Sequence, residues 1–372
     1  MSDLTTNYKI RTIPSKLASG TSSPYESGEI FDMKIKHQAG LLLTVLIAGL
    51  LASCATPLPI TSEKSAPVWP APPDQPRITY VRSMHGPRDI GQSLSIVTRF
   101  GHWLTGENGE NLALQKPFGL ALDESGNLCV TDTGANLVCY LDFTNRKWRR
   151  YPASGKTAFA SPVAVVKRNG IFYVADSALG KVLAFRENGK SAFEITNSLV
   201  RPVGLAINGN LLAVVDSQAH AVSVFDLAGK FLFKFGKRGT APGEFNFPTH
   251  IASDADRHWL VTDSLNCRIQ IFSDDGKFIS QFGSGGDTSG HFGRPKGIAA
   301  DSFGHLYVVD AVFDNVQIFN ATGQLLLNFG QSGDGPGEFG LPAGIAIAPD
   351  NTIYVADGYN HRVQIFKYLG GP

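Results

Sequence analysis

The sequence predicts an all-β protein: a six-bladed β-propeller closed by an N-terminal strand, with one short helical insertion. Three observations carry that prediction. A unit recurs six times, and the aspartates that close its second apolar run, Asp132, Asp176, Asp216, Asp263, Asp310 and Asp357, are spaced 44, 40, 47, 47 and 47 residues apart. Each copy opens on a proline, at Pro117, Pro162, Pro202, Pro248, Pro295 and Pro342. Between these marks lie short apolar runs separated by Gly, Asp and Asn turns, most clearly in LPAGIAIAPDNTIYVADGYNHRVQIFK from Leu341 to Lys367. Several short strands per period of this length describe radially arranged sheets, because one small sheet cannot bury both its faces alone.

Composition agrees with this class. With 43% apolar and 17% charged residues, the chain of 372 residues is globular for most of its length. Forty glycines and 21 prolines suit many strands joined by turns. A formal net charge of +1 argues against a protein built to grip phosphate polymer.

Taken from the N-terminus, residues 1–32 are polar, without periodicity, and read as disordered or as a mis-assigned start ahead of Met33. Residues 33–53 have the parts of a secretory signal: Lys34, Lys36 and His37, then an apolar run from Ala39 to Leu51 that is short for a membrane span. Leu51-Ala52-Ser53-Cys54 resembles a bacterial lipobox, which makes Cys54 the expected lipid attachment site and the membrane an expected partner. Ala55 in the following position resembles the signal for delivery to the outer membrane, facing the periplasm. Residues 54–76, with seven prolines, read as a stiff tether.

The propeller is expected over 77–372. The sixth copy lacks a fourth run, and an unpaired edge there would be a liability, so the strand-like Arg77 to Met84 is predicted to supply it. Residues 86–115 are unlike the repeats. Leu94, Ile96, Val97, Phe100, Trp103 and Leu104 fall at helical spacing between a candidate N-cap, Ser93, and a stop, Gly106, which predicts a helix plugging one end of the ring or docking a partner.

Within each copy the order is Pro-x-Gly-Ile-Ala-x-Asp, Leu-Tyr-Val-Val-Asp, Asn-x-Val-Gln-Ile-Phe, a fourth run such as Gln324 to Phe329, and a Gly-rich joint. From about Lys116 onward this pattern resembles the NHL repeat family. The strands are almost continuously apolar, as in Ile353, Tyr354, Val355 and Ala356, as expected where both faces meet neighbouring sheets. Gly204, Gly297 and Gly344 suit close strand approach at a narrow centre, and proline at a strand's first position forfeits no ladder bond.

The six aspartates are read as turn anchors accepting backbone hydrogen bonds, and not as a metal ring, since a single central site draws unlike residues from different blades. The resemblance also brings in the peptidyl-hydroxyglycine amidating lyases, NHL-like propellers with histidine-bound zinc. The residues after the leading prolines are Phe118, Val163, Val203, Thr249, Lys296 and Ala343, with no histidine. His250 lies one position later, where strand alternation turns it to the opposite face, and one histidine cannot form a three-ligand zinc site. No catalytic residue, metal or cofactor is therefore assigned. His250 and Lys296 remain candidate ligand-binding residues at one end of the ring.

Arg146, Lys147, Arg149 and Arg150 flank Trp148, a pattern that can hold RNA, but the export signal makes nucleic acid an unexpected partner and a solvated outer strand the preferred reading. Cys129 and Cys139 straddle a tight turn, so either a disulfide or two buried thiols is open. The resemblance and the signal together imply a lipid-anchored, non-catalytic scaffold binding an envelope protein or polymer. The alternative is a metal-dependent lyase or lactonase-like enzyme with its site in the channel.

Overall fold

A computed structural model describes residues 66–92, 112–196 and 199–370. The signal-like segment, Cys54 and the expected helix between Ser93 and Gly106 lie outside the described residues.

Five four-stranded antiparallel units occupy residues 117–151, 162–195, 202–235, 248–282 and 295–329, and a sixth takes three of its strands from 342–368 and the rest from before residue 85; these are here blades 1 to 6. In each, the proline-led run forms the innermost strand, and the run ending in aspartate pairs with it. The second strands Leu128–Asp132, Trp259–Asp263 and Leu306–Asp310 are buried at every position and the other three at all but the first, whereas the outermost Phe278–Phe282 is almost wholly exposed. Continuously apolar second strands follow from that placement, since each faces another blade on both sides. The six innermost strands pack side by side in order, and that of blade 6 returns to that of blade 1, so the ring is closed.

The hydrophobic core is divided into six clusters, one at each interface between neighbouring blades. Between blades 1 and 2, Phe172 and Phe185 stack at 4.9 Å with Tyr151 tilted against both. Between blades 5 and 6, Phe366 is fully buried against Phe329 and Phe339. Burial of one such ring contributes about 1.5–3 kcal/mol, so the interfaces together, and no single centre, hold the disc.

Ile78–Met84 pairs antiparallel with Arg362–Tyr368 from Ile78↔Tyr368 to Met84↔Val363, which completes blade 6 and fastens the ring. The boundary of the proline-rich tether differs from the sequence expectation. Val68–Trp69 adds a fifth strand outside Ile78–Met84, and the Trp69 ring packs on Phe329 and Phe366 at 5.7 and 5.9 Å. Proline density marked that stretch as spacer, but one aromatic facing a preformed apolar cleft suffices to dock it. After the closing strand, Pro87–Ile90 forms a single 3-10 turn, with Asp89 accepting the backbone N–H groups of His85 and Gly86.

Every innermost strand carries a register shift next to its leading proline. In blade 4, Pro248 pairs with Asp263 and Ile251 with Val261, so three steps on one strand oppose two on the other. The same extra residue occurs in the other five blades. A bulge of this kind interrupts side-chain alternation and re-aims the residues within it.

Candidate functional site

The end of the ring where the strands enter is built by the six aspartates. Asp132 accepts the N–H groups of Gln115 and Lys116, just before the leading proline, and of Gly134 and Ala135 in its own turn. Asp176 and Asp310 make the same four-donor arrangement, and Asp216 accepts from Val200, Arg201 and Ala219. Asp263 and Asp357 each take one such backbone donor, at Asn246 and Gly340, and add an arginine: Arg268 Nε lies 2.9 Å and Arg362 Nε 2.7 Å away. Both guanidinium groups are buried and also donate to carbonyls of the preceding joint, including those of Glu244 and Glu338. With its oxygens spent this way, the carboxylate belt presents no free ligand to a cation.

Inside the belt a cavity of about 370 Å³ opens at this end. Its wall is made by the bulged residues: Phe118, Val163, Val203, Thr249, His250 and Lys296. Arg201 and Arg294 stand at the rim with Ser177, Ser217 and Ser264. Among the described residues no acidic one lines it. A side pocket of about 290 Å³, floored by Ala343 and Pro342, shares Phe118, Arg294 and Lys296 with the main cavity and is bounded by Lys116, Val312, Leu341 and Tyr359. Below, the channel narrows to about 40 Å³ at a collar containing Gly119, Gly204, Gly297 and Gly344. A Cβ on Gly297 or Gly344 would come within 2.5 Å of the next blade's carbonyl oxygen, which is why glycine recurs there.

His250 and Lys296 are brought to the same cavity. The expectation that a one-residue offset turns His250 away from the channel is corrected: the bulge lets Thr249 and His250 both line it. His250 occupies the collar position that is glycine in four blades and Ala164 in blade 2. Its ring is tilted against Phe118 at 5.9 Å, and Lys296 Nζ lies 5.4 Å from the face of the same phenyl ring. The imidazole as a whole is half-buried, yet both ring nitrogens are shut off from solvent and neither has a hydrogen-bond partner among the described residues. The Thr249 hydroxyl is likewise buried without a partner. Burial, with a smaller contribution from the Lys296 charge, pushes the His250 pKa down to about 3, so the ring is neutral at physiological pH. Burial, then the charges of Arg294 and Lys116, lower that of Lys296.

Around the mouth the exposed rim is apolar over three consecutive blades. Phe247, Leu265, Val312, Leu341 and Tyr359 are all exposed, Tyr359 by 69%. Each either precedes a leading proline or stands two residues after a belt aspartate. These positions alternate with Lys116, Arg201 and Arg294, and no ion pair holds any of the three among the described residues.

The remaining sequence candidates fall elsewhere. Trp148 is buried in the interface between blades 6 and 1, and Arg149 pairs with Glu187, so the basic run offers no stacking face. Cys129 pairs in register with Tyr140, and Cys139 with Val130, which puts the two thiols on opposite faces of the sheet; both are free and buried, so a disulfide between them is excluded. Burial pushes the Cys139 thiol up to about 12. Sequence reasoning missed Asp254, Asp256 and His258, which gather three possible ligand groups. His258 Nδ1 sits 2.9 Å from Asp254, and the same Asp-to-His lock recurs at Asp301 and His305 one blade on, where it closes a turn. It also missed Lys167, buried between Asp123 at 2.8 Å and Glu187 at 2.9 Å, with Tyr140 Oη bonded to both Asp123 and Lys167. Partners contributed by two blades leave no local pattern to read.

Against known proteins, the family model described as "NHL repeat" matches residues 339–366. The fold is a six-bladed propeller that carries an NHL repeat in its last blade. Two curated relatives, the E3 ubiquitin-protein ligase NHLRC1 of Rattus norvegicus and that of Mus musculus, are each 31% identical over 116 residues, 30% of this chain and 26% of the relative. The chain thus spans about a quarter of the length of the curated relatives it matches. Among solved structures, a streptogramin B lyase aligns over 69% of this chain and 94% of its own, with a TM-score of 0.52 at 14% identity. The virginiamycin B lyase of Staphylococcus aureus aligns over 68% and 96%, with a TM-score of 0.51 at 16% identity. At such identities the likeness is one of fold.

Proposed function

We propose that this protein is a lipid-anchored, exported NHL propeller that works as a non-catalytic binding scaffold in the cell envelope, recognising its partner with the belt end of the ring. The observation that supports this reading is the rim: apolar side chains from three adjacent blades stand exposed beside unpaired cations. A contiguous exposed apolar patch marks an interaction surface, and tyrosine and arginine are the side chains that most often carry binding energy. The complementary partner is an envelope protein or polymer that presents apolar groups beside acidic ones. The lipobox-like sequence ending in Cys54 supports attachment to the membrane, and Ala55 supports the outer membrane with the propeller facing the periplasm.

Cross-linking in intact cells tests the reading. The wild type is expected to capture an envelope component that Tyr359→Ala and Val312→Asp lose, while Phe278→Ala on the outer edge of blade 4 retains it. Equal capture by all of these would overturn the assigned face. Cys54→Ser is expected to move the protein from the membrane to the soluble fraction; unchanged membrane association would remove the anchor.

A metal-dependent lyase is the second reading, favoured by a histidine in the channel and by the lyases among the solved structures of this fold. The donor set speaks against it. A lone imidazole beside Lys296, with Arg201 and Arg294 at the rim and no carboxylate, repels a divalent ion. Stoichiometric zinc retained through dialysis would reverse that preference.

A further inference from the structure

The belt-end cavity holds an unusual set of groups for the centre of a ring. Lys296 brings a positive charge into the wall with no acidic partner among the described residues. Beside it, the Thr249 hydroxyl and both His250 nitrogens are sheltered from solvent and unpartnered. Buried polar groups left unmade in a fold are costly, and three adjoining ones on two residues of one cavity wall point to a site whose partner is a ligand. The opposite wall is apolar, formed by Phe118, Val163 and Val203.

We propose that this cavity binds a small organic acid, its carboxylate held by Lys296, Thr249 and His250 and its apolar body laid against Phe118, Val163 and Val203. A single negative charge is specified because only one cation lies within the wall; Arg201 and Arg294 are at the open rim, where they draw the anion in and do not neutralise it at depth. The donors match a carboxylate: an ammonium, a hydroxyl and a neutral imidazole N–H, while the backbone N–H groups that a phosphate would recruit are already given to the belt aspartates. At about 370 Å³ the cavity has room for an acid with an aromatic or short aliphatic body. The narrow glycine collar below stops the ligand from passing through. His250 is the residue that makes the site particular to this ring, since glycine at that position in four other blades contributes no donor.

This inference deepens the binding reading and rests on the belt end being the working face. The test is calorimetric titration of the full chain in nonionic detergent with 3-phenylpropanoate, 3-phenylpropan-1-ol and inorganic phosphate. The acid is expected to bind at least about tenfold more tightly than the alcohol or phosphate, a difference one charge-assisted hydrogen bond can supply. Lys296→Met should remove most of that preference. His250→Gly, which restores the residue found in other blades and so preserves the fold, should weaken the acid several-fold and leave the alcohol unchanged. Equal affinity for acid and alcohol, phosphate binding as tight as the acid's, or undiminished acid binding by both Lys296→Met and His250→Gly would each overturn the proposal. Loss of acid binding with cross-linking intact would sink this inference alone; the reverse result would sink the scaffold.

Discussion

His250 stands where four blades carry glycine, and its imidazole is held neutral in a wall that also holds Lys296. Its folded-state pKa of about 3 lies below the ordinary 6.5, so between those values the unfolded chain binds the additional proton. Stability therefore rises with pH across that window and is lost as pH falls from 6.5 toward 3. Denaturation of wild type and His250→Gly at a series of pH values should show the variant losing less stability over this interval; parallel curves would mean that the ring is not held neutral by the wall. Arg362 gives a second residue-scale expectation. It is buried against Asp357, and Arg362→Met leaves that carboxylate without its cation and takes one donor from each of three joint carbonyls, of which Gly335 and Glu338 keep another. A cost of about 3–5 kcal/mol is expected in urea unfolding. At this scale the sequence identified His250 and Lys296 as candidate ligand-binding residues, while strict alternation argued for turning His250 to the face opposite the residues that follow the prolines. Strict alternation is a property of an unbroken ladder, and the bulge at Thr249 and His250 is set by pairing across the blade, which no local composition encodes.

At the scale of elements, repetition made the blades legible: six prolines and six aspartates in register locate the inner strands and their turns within a residue or two. The closing strand was legible by subtraction, because blade 6 lacked a fourth run and Arg77 to Met84 had no other place. Val68–Trp69 was not, since its docking depends on a cleft among Trp69, Phe329 and Phe366 that exists only once the blade is complete. These two strands differ in what they hold. Deleting 77–84 should lower the melting temperature sharply, because it exposes the edge of Arg362–Tyr368 and opens the ring. Trp69→Ala should cost only packing and leave a single cooperative transition. If both variants melt alike, the fastening lies elsewhere in the blade.

The propeller is a ring with two unlike ends. Around the belt end are exposed apolar side chains, unpaired cations and the cavity wall of Phe118, His250 and Lys296. The opposite mouth is lined by residues such as Leu122, Ile207, Ala300 and Ile347 around Lys167, whose charge is already paired. Repeat logic predicts the disc but treats all blades as equal; function resides in the departures from the repeat, in Lys296 where other blades have an apolar residue or threonine and in His250 where most have glycine. Those departures are visible in sequence as exceptions, and only the closed ring makes them neighbours.

Ile78 lies against Tyr368, nearly three hundred positions away along the polypeptide. A ribosome or translocon delivers the first of these long before the second, so the latch waits unclosed while all six sheets emerge. Throughout that interval the edge of Ile78–Met84 is open to mispairing with a second nascent chain, and the arrival of Arg362–Tyr368 decides whether a disc or an aggregate forms. A frameshift near residue 350 should for that reason abolish the entire disc and not merely trim it, leaving protease-sensitive material in place of a shortened scaffold.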